Sequence, residues 1–336
     1  MGAKIRNNYQ LSIINYQLFT TFAPMLSILV PTYNCNCYRL VRDLHDQCER
    51  CGIEYEIIVG DDMSRDRLSI IANMKMNELS NCRYVPSDEK VGQATMRNCL
   101  AKMSRGDILL FIDSDAKVCT ESFISTYMKE IDRADVVIGG IVTPDIKPDE
   151  LIAKCETADL GMPHSCFIVN RTLRYKYEKK ADLRRKASER NKHPYAEMSC
   201  FNMMIHREPF MAVMFDEECR EYGYEDVLFG AEMEKRKVSV LHIDNPLQHT
   251  GIDTNIQFLD KTETALRTLV KVKDKVGSHS RMYQYAEKCR RNHTEWLVRI
   301  LYKMTKPLLK HNLLGQKPSL FLFSFYKLGY FLCLEQ

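Results

Sequence analysis

Three short runs of Ile, Val and Leu constrain this chain more than any other feature. LSILVP (26–31), YEIIVG (55–60) and DILLFID (107–113) carry apolar residues in succession, not in alternation, and each is followed by polar residues. A strand that is apolar on both faces must be covered on both, which predicts a mostly parallel sheet with helices on either side. The intervening segments supply those helices. Leu40, Val41, Leu44 and Cys48 have helical spacing within Tyr38–Cys51, Ile70 to Leu79 mark a second helix, and Gln93–Met103 reads as a third. Arg83–Val85 and ADVVIGG (134–140) add two strands. In such sheets ligands sit beyond the carboxyl ends of the strands. Here those ends read Thr32-Tyr33-Asn34, Asp61-Asp62 and Asp113-Ser114-Asp115, so acids and hydroxyls are predicted to converge on one crevice.

The same strand ends argue against two nucleotide folds. No G-x-G-x-x-G follows the first strand, as in a dinucleotide-binding dehydrogenase, and no G-x-x-x-x-G-K-[ST] of a P-loop enzyme occurs. Acids in place of glycines suggest a metal-bridged nucleotide. Asp113 and Asp115 can converge where the strand breaks into a turn, and a hard divalent cation takes such oxygens together with phosphate and water. Asp and Ser also simply favour turns. Arg97, on the preceding helix, could offer its guanidinium to a diphosphate.

Downstream, residues 148–192 turn polar and basic around RTLRYKYEKKADLRRKASERNKHP. A solvated helix face, a loop and a mobile lid over the substrate all fit such a charge run. MSCFNMMI (198–205) reads as a buried strand, Tyr222-Gly-Tyr-Glu-Asp opens a helix running to Lys237, and VSVLHID (238–244) precedes Gln248-His249-Thr250-Gly251. Glu225 and Asp226 at a helix start suit general-base chemistry, and equally suit the positive end of the helix dipole. His249 is either a metal ligand or a hydrogen-bonded turn residue.

Composition sets the outer bounds. With 45% hydrophobic and 27% charged residues the 336-residue chain is globular. Its net charge of +4 is too balanced to argue for nucleic acid. The charge is unevenly spread, because residues 288–336 hold nine Lys/Arg against Glu295 and Glu335, leaving a mildly acidic body. Thirteen cysteines, odd in number and scattered, fit reduced thiols in a reducing compartment better than a disulfide framework. Cys48 and Cys51 fall in a helix without zinc-ribbon spacing. Residues 1–24, with NYQL repeated at 8–11 and 15–18, are expected to lie outside the fold, with Met25 a natural start. At the other end Trp296–Lys303 reads as an amphipathic helix, and SLFLFSFYKLGYFLCL (319–334) is too short for the roughly 20 apolar residues of a bilayer span. It fits a segment lying on an anionic membrane surface, and equally a helix packed on the body or against a second copy.

Four segments in order, SILVPTYN, EIIVGDDMSRD, GQATMRNCLAKMSRGDILLFIDSDA and GYEDVLFGAEMEKRKVSV, resemble the family-2 inverting glycosyltransferases. The resemblance covers about Met25 to Gly251 and implies the GT-A fold. Residues 25–253 would form the catalytic domain, with a nucleotide-sugar half (25–145) and an acceptor half (146–253), and 254–336 a helical extension. Pro31, Thr32 and Tyr33 would line the base pocket with Asp62, and Asp61 would share that contact or cap a turn. Arg97 would sit near the diphosphate, with Ser114 on the nucleotide sugar. Asp113 would contact ribose or a metal-bound water, Asp115 and His249 would ligate Mn2+ or Mg2+, and Asp226 would be the catalytic base supported by Glu225. The implied partners are a nucleotide sugar, UDP-linked by resemblance, and a glycan or lipid-linked acceptor in cell-surface polysaccharide synthesis. They also include the membrane, with the enzyme peripheral on the cytoplasmic face of the inner membrane, and a second copy of the chain. Three departures stand out. Met63 replaces the glycine that usually follows the Asp-Asp pair, Val91-Gly92-Gln93 keeps one glycine of a richer motif, and Glu221-Tyr222 stands where a Trp is common. A nucleotidyltransferase and a non-catalytic membrane-associated partner are the competing readings, the first weakened by the absence of a basic glycine-rich loop after the first strand.

Overall fold

The structure, a computed structural model, describes residues 24–147, 150–155, 167–182, 184–219 and 222–335. The expectation for residues 1–24 therefore lies outside the described residues except at Pro24. In chain order the first half runs β1 (Leu26–Thr32), α1 (Tyr38–Cys51), β2 (Tyr55–Asp61), α2 (Arg67–Met74), β3 (Cys82–Pro86), α3 (Gln93–Met103), β4 (Ile108–Ile112), β5 (Ala116–Val118), α4 (Phe123–Glu130), β6 (Val136–Ile138) and β7 (Ile141–Val142). Then follow β8 (Ile152–Cys155), β9 (Phe167–Asn170), α5 (Thr172–Asp182), α6 (Ala187–Arg190), β10 (Asn202–His206), α7 (Arg207–Val213), α8 (Glu225–Lys235), β11 (Val240–His242) and β12 (Leu247–His249). Four helices close the chain: α9 (Asn255–Val276), α10 (Arg281–Arg291), α11 (Glu295–Leu314) and α12 (Leu320–Leu334).

The large sheet has the order β11-β6-β10-β4-β1-β2-β3. β1 pairs in parallel with both β2 and β4, and only β10 runs antiparallel to its neighbours. The chain leaves β1 toward β3 and returns on the other side at β4, so a topological switch point lies at the carboxyl ends of β1 and β4. The successive apolar residues of β1 serve two cores. Leu26, Ile28 and Val30 pack with α1 and α4, whereas Leu29 packs with Leu100 and Ala101 of α3 and Phe229 of α8. Each such fully buried side chain contributes about 1.5–3 kcal/mol, which explains why every residue of β1 and β2 is buried.

A second small sheet, β5-β12-β7, sits beside the switch point. Its antiparallel register sets His249 opposite Ala116, which brings the late histidine next to Asp115. The strand expected from Met198 begins instead at Asn202, because the Cys200 N–H just before it donates to the Asp226 carboxylate and so leaves the sheet. The described cysteines are free thiols, and burial pushes Cys37 up to about 12.

The C-terminal helices form their own packed layer. A capping box at Thr254 and Gln257 starts α9. On α12, Phe323, Tyr326, Phe331 and Leu332 are fully buried in clusters built with α9, α10 and α11. Gly329 lets α12 approach closely, since a Cβ there would sit 2.5 Å from the Tyr302 Cβ of α11. Glu335 ties the end of α12 to Lys273 at 2.9 Å and to Arg290. Packing therefore accounts for most of the aromatic segment 319–334, with Phe321 left exposed. Among the described residues no helix is long and apolar enough to cross a membrane.

The turn after β2 is made without glycine, at a cost. Met63 adopts φ 62°, a left-handed conformation that costs an L-residue with a Cβ about 1–2 kcal/mol, and its side chain is partly exposed. Met63→Gly is therefore expected to stabilise the fold by about 0.5–1 kcal/mol after the entropy of the unfolded glycine is subtracted. Urea unfolding should show a higher midpoint at an unchanged slope, and an unchanged or lower midpoint would mean that Met63 makes contacts worth more than the backbone strain.

Candidate active site

A cavity of about 600 Å³ opens at the switch point. Eleven of the twelve site residues expected from sequence line it: Pro31, Thr32, Tyr33, Asp62, Arg97, Asp113, Ser114, Asp115, Glu225, Asp226 and His249. Asp61 does not. It is the last residue of β2, and its carboxylate accepts from the Ser64 N–H at 2.8 Å and from the Tyr84 hydroxyl, so it holds the turn. Asp62, one residue on, accepts from the N–H groups of Val91 at 2.7 Å and Gly92 at 3.1 Å. Gly92, at φ 88°, opens α3. Tyr33 forms an exposed wall of this side, with the Lys90 ammonium 3.7 Å from its ring centroid.

The floor is an acidic row around one buried cation. Arg97 is only 2% exposed and donates from Nη2 to Asp113 Oδ1 at 2.7 Å, while its Nη1 lies 4.0 Å from Glu225 Oε1. Burial alone would weaken its charge, but Asp113, Asp226 and Glu225 around it hold the guanidinium protonated. Arg97 thus faces the acids beneath the cavity, its charge engaged there. Burial raises the Asp113 carboxyl even against the opposing pull of Arg97, and burial together with neighbouring Asp226 pushes Glu225 up to about 7. Asp226 Oδ2 accepts from the Cys200 N–H at 3.1 Å. Asp226 Oδ1, Glu225 Oε2 and Arg97 Nη1 and Nε are buried without a hydrogen-bond partner. Orphaned polar atoms are costly in a resting protein, and these four belong to three residues at the floor of the cavity.

Local backbone geometry aims these acids. Gly223 (φ 102°) and Tyr224 (φ 69°) are successive left-handed residues, and they turn the chain so that Glu225 and Asp226 form the first turn of α8. A Cβ at Gly223 would meet Ala265 Cβ at 2.6 Å, so α9 closes on this turn from behind.

The opposite wall carries a linear relay. Asp115 Oδ2 faces His249 Nε2 at 3.0 Å, His249 Nδ1 faces Glu178 Oε2 at 3.0 Å, and Arg174 Nε donates to Glu178 Oε1. Against the burial that would lower it, hydrogen bonds and charge from Asp115 and Glu178 lift His249 to about 9. The same bond to His249 overrides the burial of Asp115 and holds its carboxyl below the usual range. Gly251 is obligatory beside this pair, because a Cβ there would collide with Asp115 Oδ2. Sequence reasoning missed Glu178 and Arg174, which lie in the basic run 171–192. The signal was their i,i+4 spacing on one helix. That run folds as α5 and α6, and Arg174, Glu178 and Arg185 form part of the cavity wall.

Among the described residues no three Asp, Glu, His or Cys side chains converge into a ready-made metal cage. Asp115 and His249 alone offer a carboxylate and an imidazole on the open cavity, with Asp113 two residues from Asp115. That donor set fits a divalent ion which takes its remaining ligands from phosphate and water.

A family model described as Glycosyl transferase family 2 matches residues 27–213. The glycosyltransferase GlyG of Streptococcus pneumoniae is 29% identical over 123 residues, which is 36% of this chain and 40% of that protein. A chondroitin synthase of Pasteurella multocida is 26% identical over 224 residues, 61% of this chain and 22% of that protein. The chain thus spans less than half the length of these relatives. A solved mannosyltransferase from Pyrobaculum calidifontis, in complex with GDP-Man and Mn2+, superposes with a TM-score of 0.51 at 13% identity, over 94% of this chain and 86% of that one; the likeness is one of fold. With the family match spanning more than half of its length, the chain belongs to glycosyltransferase family 2 and is a transferase enzyme of the GT-A fold.

Proposed function

We propose that the enzyme transfers a sugar, with inversion, from a nucleoside diphosphate sugar to a hydroxyl of a glycan or lipid-linked acceptor in cell-surface polysaccharide synthesis. The donor is UDP-linked, and the enzyme works peripherally at the cytoplasmic face of the inner membrane. The observation that carries this reading is the placement of Asp226, with an unpartnered Oδ1, and of the Asp115–His249 pair on walls of one cavity.

The chemistry divides among the residues as follows. Pro31, Thr32, Tyr33 and Asp62 hold the base, and Asp113 and Ser114 hold the ribose and sugar side. Asp115 and His249 would hold Mn2+ or Mg2+, whose charge offsets the charge developing on the departing diphosphate. Asp226 Oδ1 takes the proton of the acceptor hydroxyl as its oxygen bonds to the anomeric carbon, and the bond to the diphosphate oxygen breaks on the opposite face. Glu225, raised toward neutrality beside it, keeps a second negative charge away from Asp226. Glu178 fixes the ring of His249 through Nδ1, so that Nε2 is presented to Asp115. The glycosyltransferase and synthase relatives and the GDP-Man and Mn2+ of the Pyrobaculum mannosyltransferase support this assignment.

A thermal-shift screen of nucleotides with and without Mn2+ tests the donor, since a ligand bound only by the native state raises its melting temperature. UDP with Mn2+ is expected to give the largest rise, and a flat response to every nucleotide would sink the reading. Asp226→Asn should lower kcat by about 10²–10⁴-fold, the usual range for a general base, while UDP binding stays as in the wild type; near-normal turnover would place the base elsewhere. Glu178→Gln should weaken Mn2+ binding in the presence of UDP by about 10–100-fold, as removal of a ligand-orienting partner does. Isothermal titration reads this directly, and an unchanged Mn2+ affinity would show that His249 needs no orienting carboxylate.

A further inference from the structure

Helix α11 has two apolar faces, and the C-terminal layer uses only one. Tyr302, Leu309 and Leu313 are buried against the other helices. On the opposite side Trp296, Ile300, Met304 and Leu308 follow one another every four residues, with Leu297 and Leu301 alongside, and all six are exposed. Met304 is 73% and Leu308 71% exposed. At 100° per residue these six side chains fill one arc roughly opposite the packed face. Lys303 and Lys306 are exposed along the margin nearest Trp296, while Lys310 on the same side is held by Glu263 at 3.1 Å. An amphipathic helix normally turns its second face to water with charged residues; a continuous apolar stripe left open marks a contact surface.

We propose that this outer face of α11 lies flat on an anionic lipid bilayer, with the apolar stripe at the boundary of headgroups and acyl chains and its basic margin toward the lipid phosphates. The inference rests on the membrane placement given above and assigns it to α11, since α12 turns its aromatic side chains inward apart from Phe321, which is 80% exposed. Charge selects the partner. Residues 288–336 carry nine Lys/Arg against two acids, and although Glu263 engages Lys310 and Glu287 and Glu335 engage Arg290, a second copy seated face to face would still bring two basic margins together, whereas anionic headgroups complement one. A helix of about 20 residues lying in the plane, with an indole among its anchors, matches interfacial association.

Trp296 is the only tryptophan of the chain, so its emission reports this face alone. The full chain is mixed with vesicles of phosphatidylcholine containing phosphatidylglycerol, and separately with phosphatidylcholine alone. Trp296 emission should shift to the blue and the protein should co-sediment with the anionic vesicles only. The double variant Met304→Glu/Leu308→Glu should bind them at least about tenfold more weakly, as should the wild type at high salt, with thermal unfolding and nucleotide-sugar hydrolysis in solution unchanged. No emission shift and no sedimentation with either vesicle would overturn the proposal. It would equally fall if Trp296 emission were already blue in buffer and the chain eluted as a dimer that the double variant splits, because the face would then belong to a second copy. Lipid binding without any hydrolysis or nucleotide binding would count against the transferase assignment and leave the docking face standing.

Discussion

Everything in the catalytic half is arranged around one buried guanidinium. Asp113, Glu225 and Asp226 reach the cavity from β4 and α8, and three carboxylates in so small a space repel one another. Arg97, nearly inaccessible on α3, binds Asp113 directly and faces Glu225. A buried charge pair contributes little net stability, but removing one partner costs about 3–5 kcal/mol because the other is left uncompensated. Arg97 therefore joins a strand end, a helix and a helix start into one rigid floor. It also leaves Nη1, Nε, Glu225 Oε2 and Asp226 Oδ1 without partners, so the floor retains unsatisfied polarity.

The two walls differ in electrostatic character. On the Asp226 side, burial and like charge raise Glu225 toward neutrality, leaving one carboxylate well suited to accept a proton. On the Asp115 side, hydrogen bonds and charge from two carboxylates raise His249 while the same bond holds Asp115 low, so a cation bound there would have to take the place of the imidazole proton. Two electrostatic environments thus occupy separate walls of a cavity of about 600 Å³. Neither depends on an exposed ion pair, the kind that contributes least.

Much of this was legible in the sequence, and the misses have physical reasons. The apolar strands ending in acid located the crevice, because strand direction and burial are both local signals. Asp61 and Asp62 could not be told apart by type, since successive residues at a strand end leave it in opposite directions and the partners Tyr84 and Val91 decide which one faces the ligand. Glu178 was invisible for another reason. It lies in a run of Lys and Arg whose average character is solvated, and its burial arises from His249, 71 residues away. The aromatic segment 319–334 was ambiguous because apolar composition is the same whether lipid or protein covers it. The complementary faces of α9, α10 and α11 decide that question for α12, and the lack of such a face leaves the outer side of α11 open.

The pairing of β12 with β5 brings together residues 134 positions apart, Asp115 and His249. A ribosome finishes β1–β4 well before His249 has been made. Domains fold as units, and β4 takes its second neighbour from the late strand β10, so the amino-terminal strands cannot close their sheet until the later half has emerged. A chain cut before β12 would lack both His249 and the strand that pairs with β5.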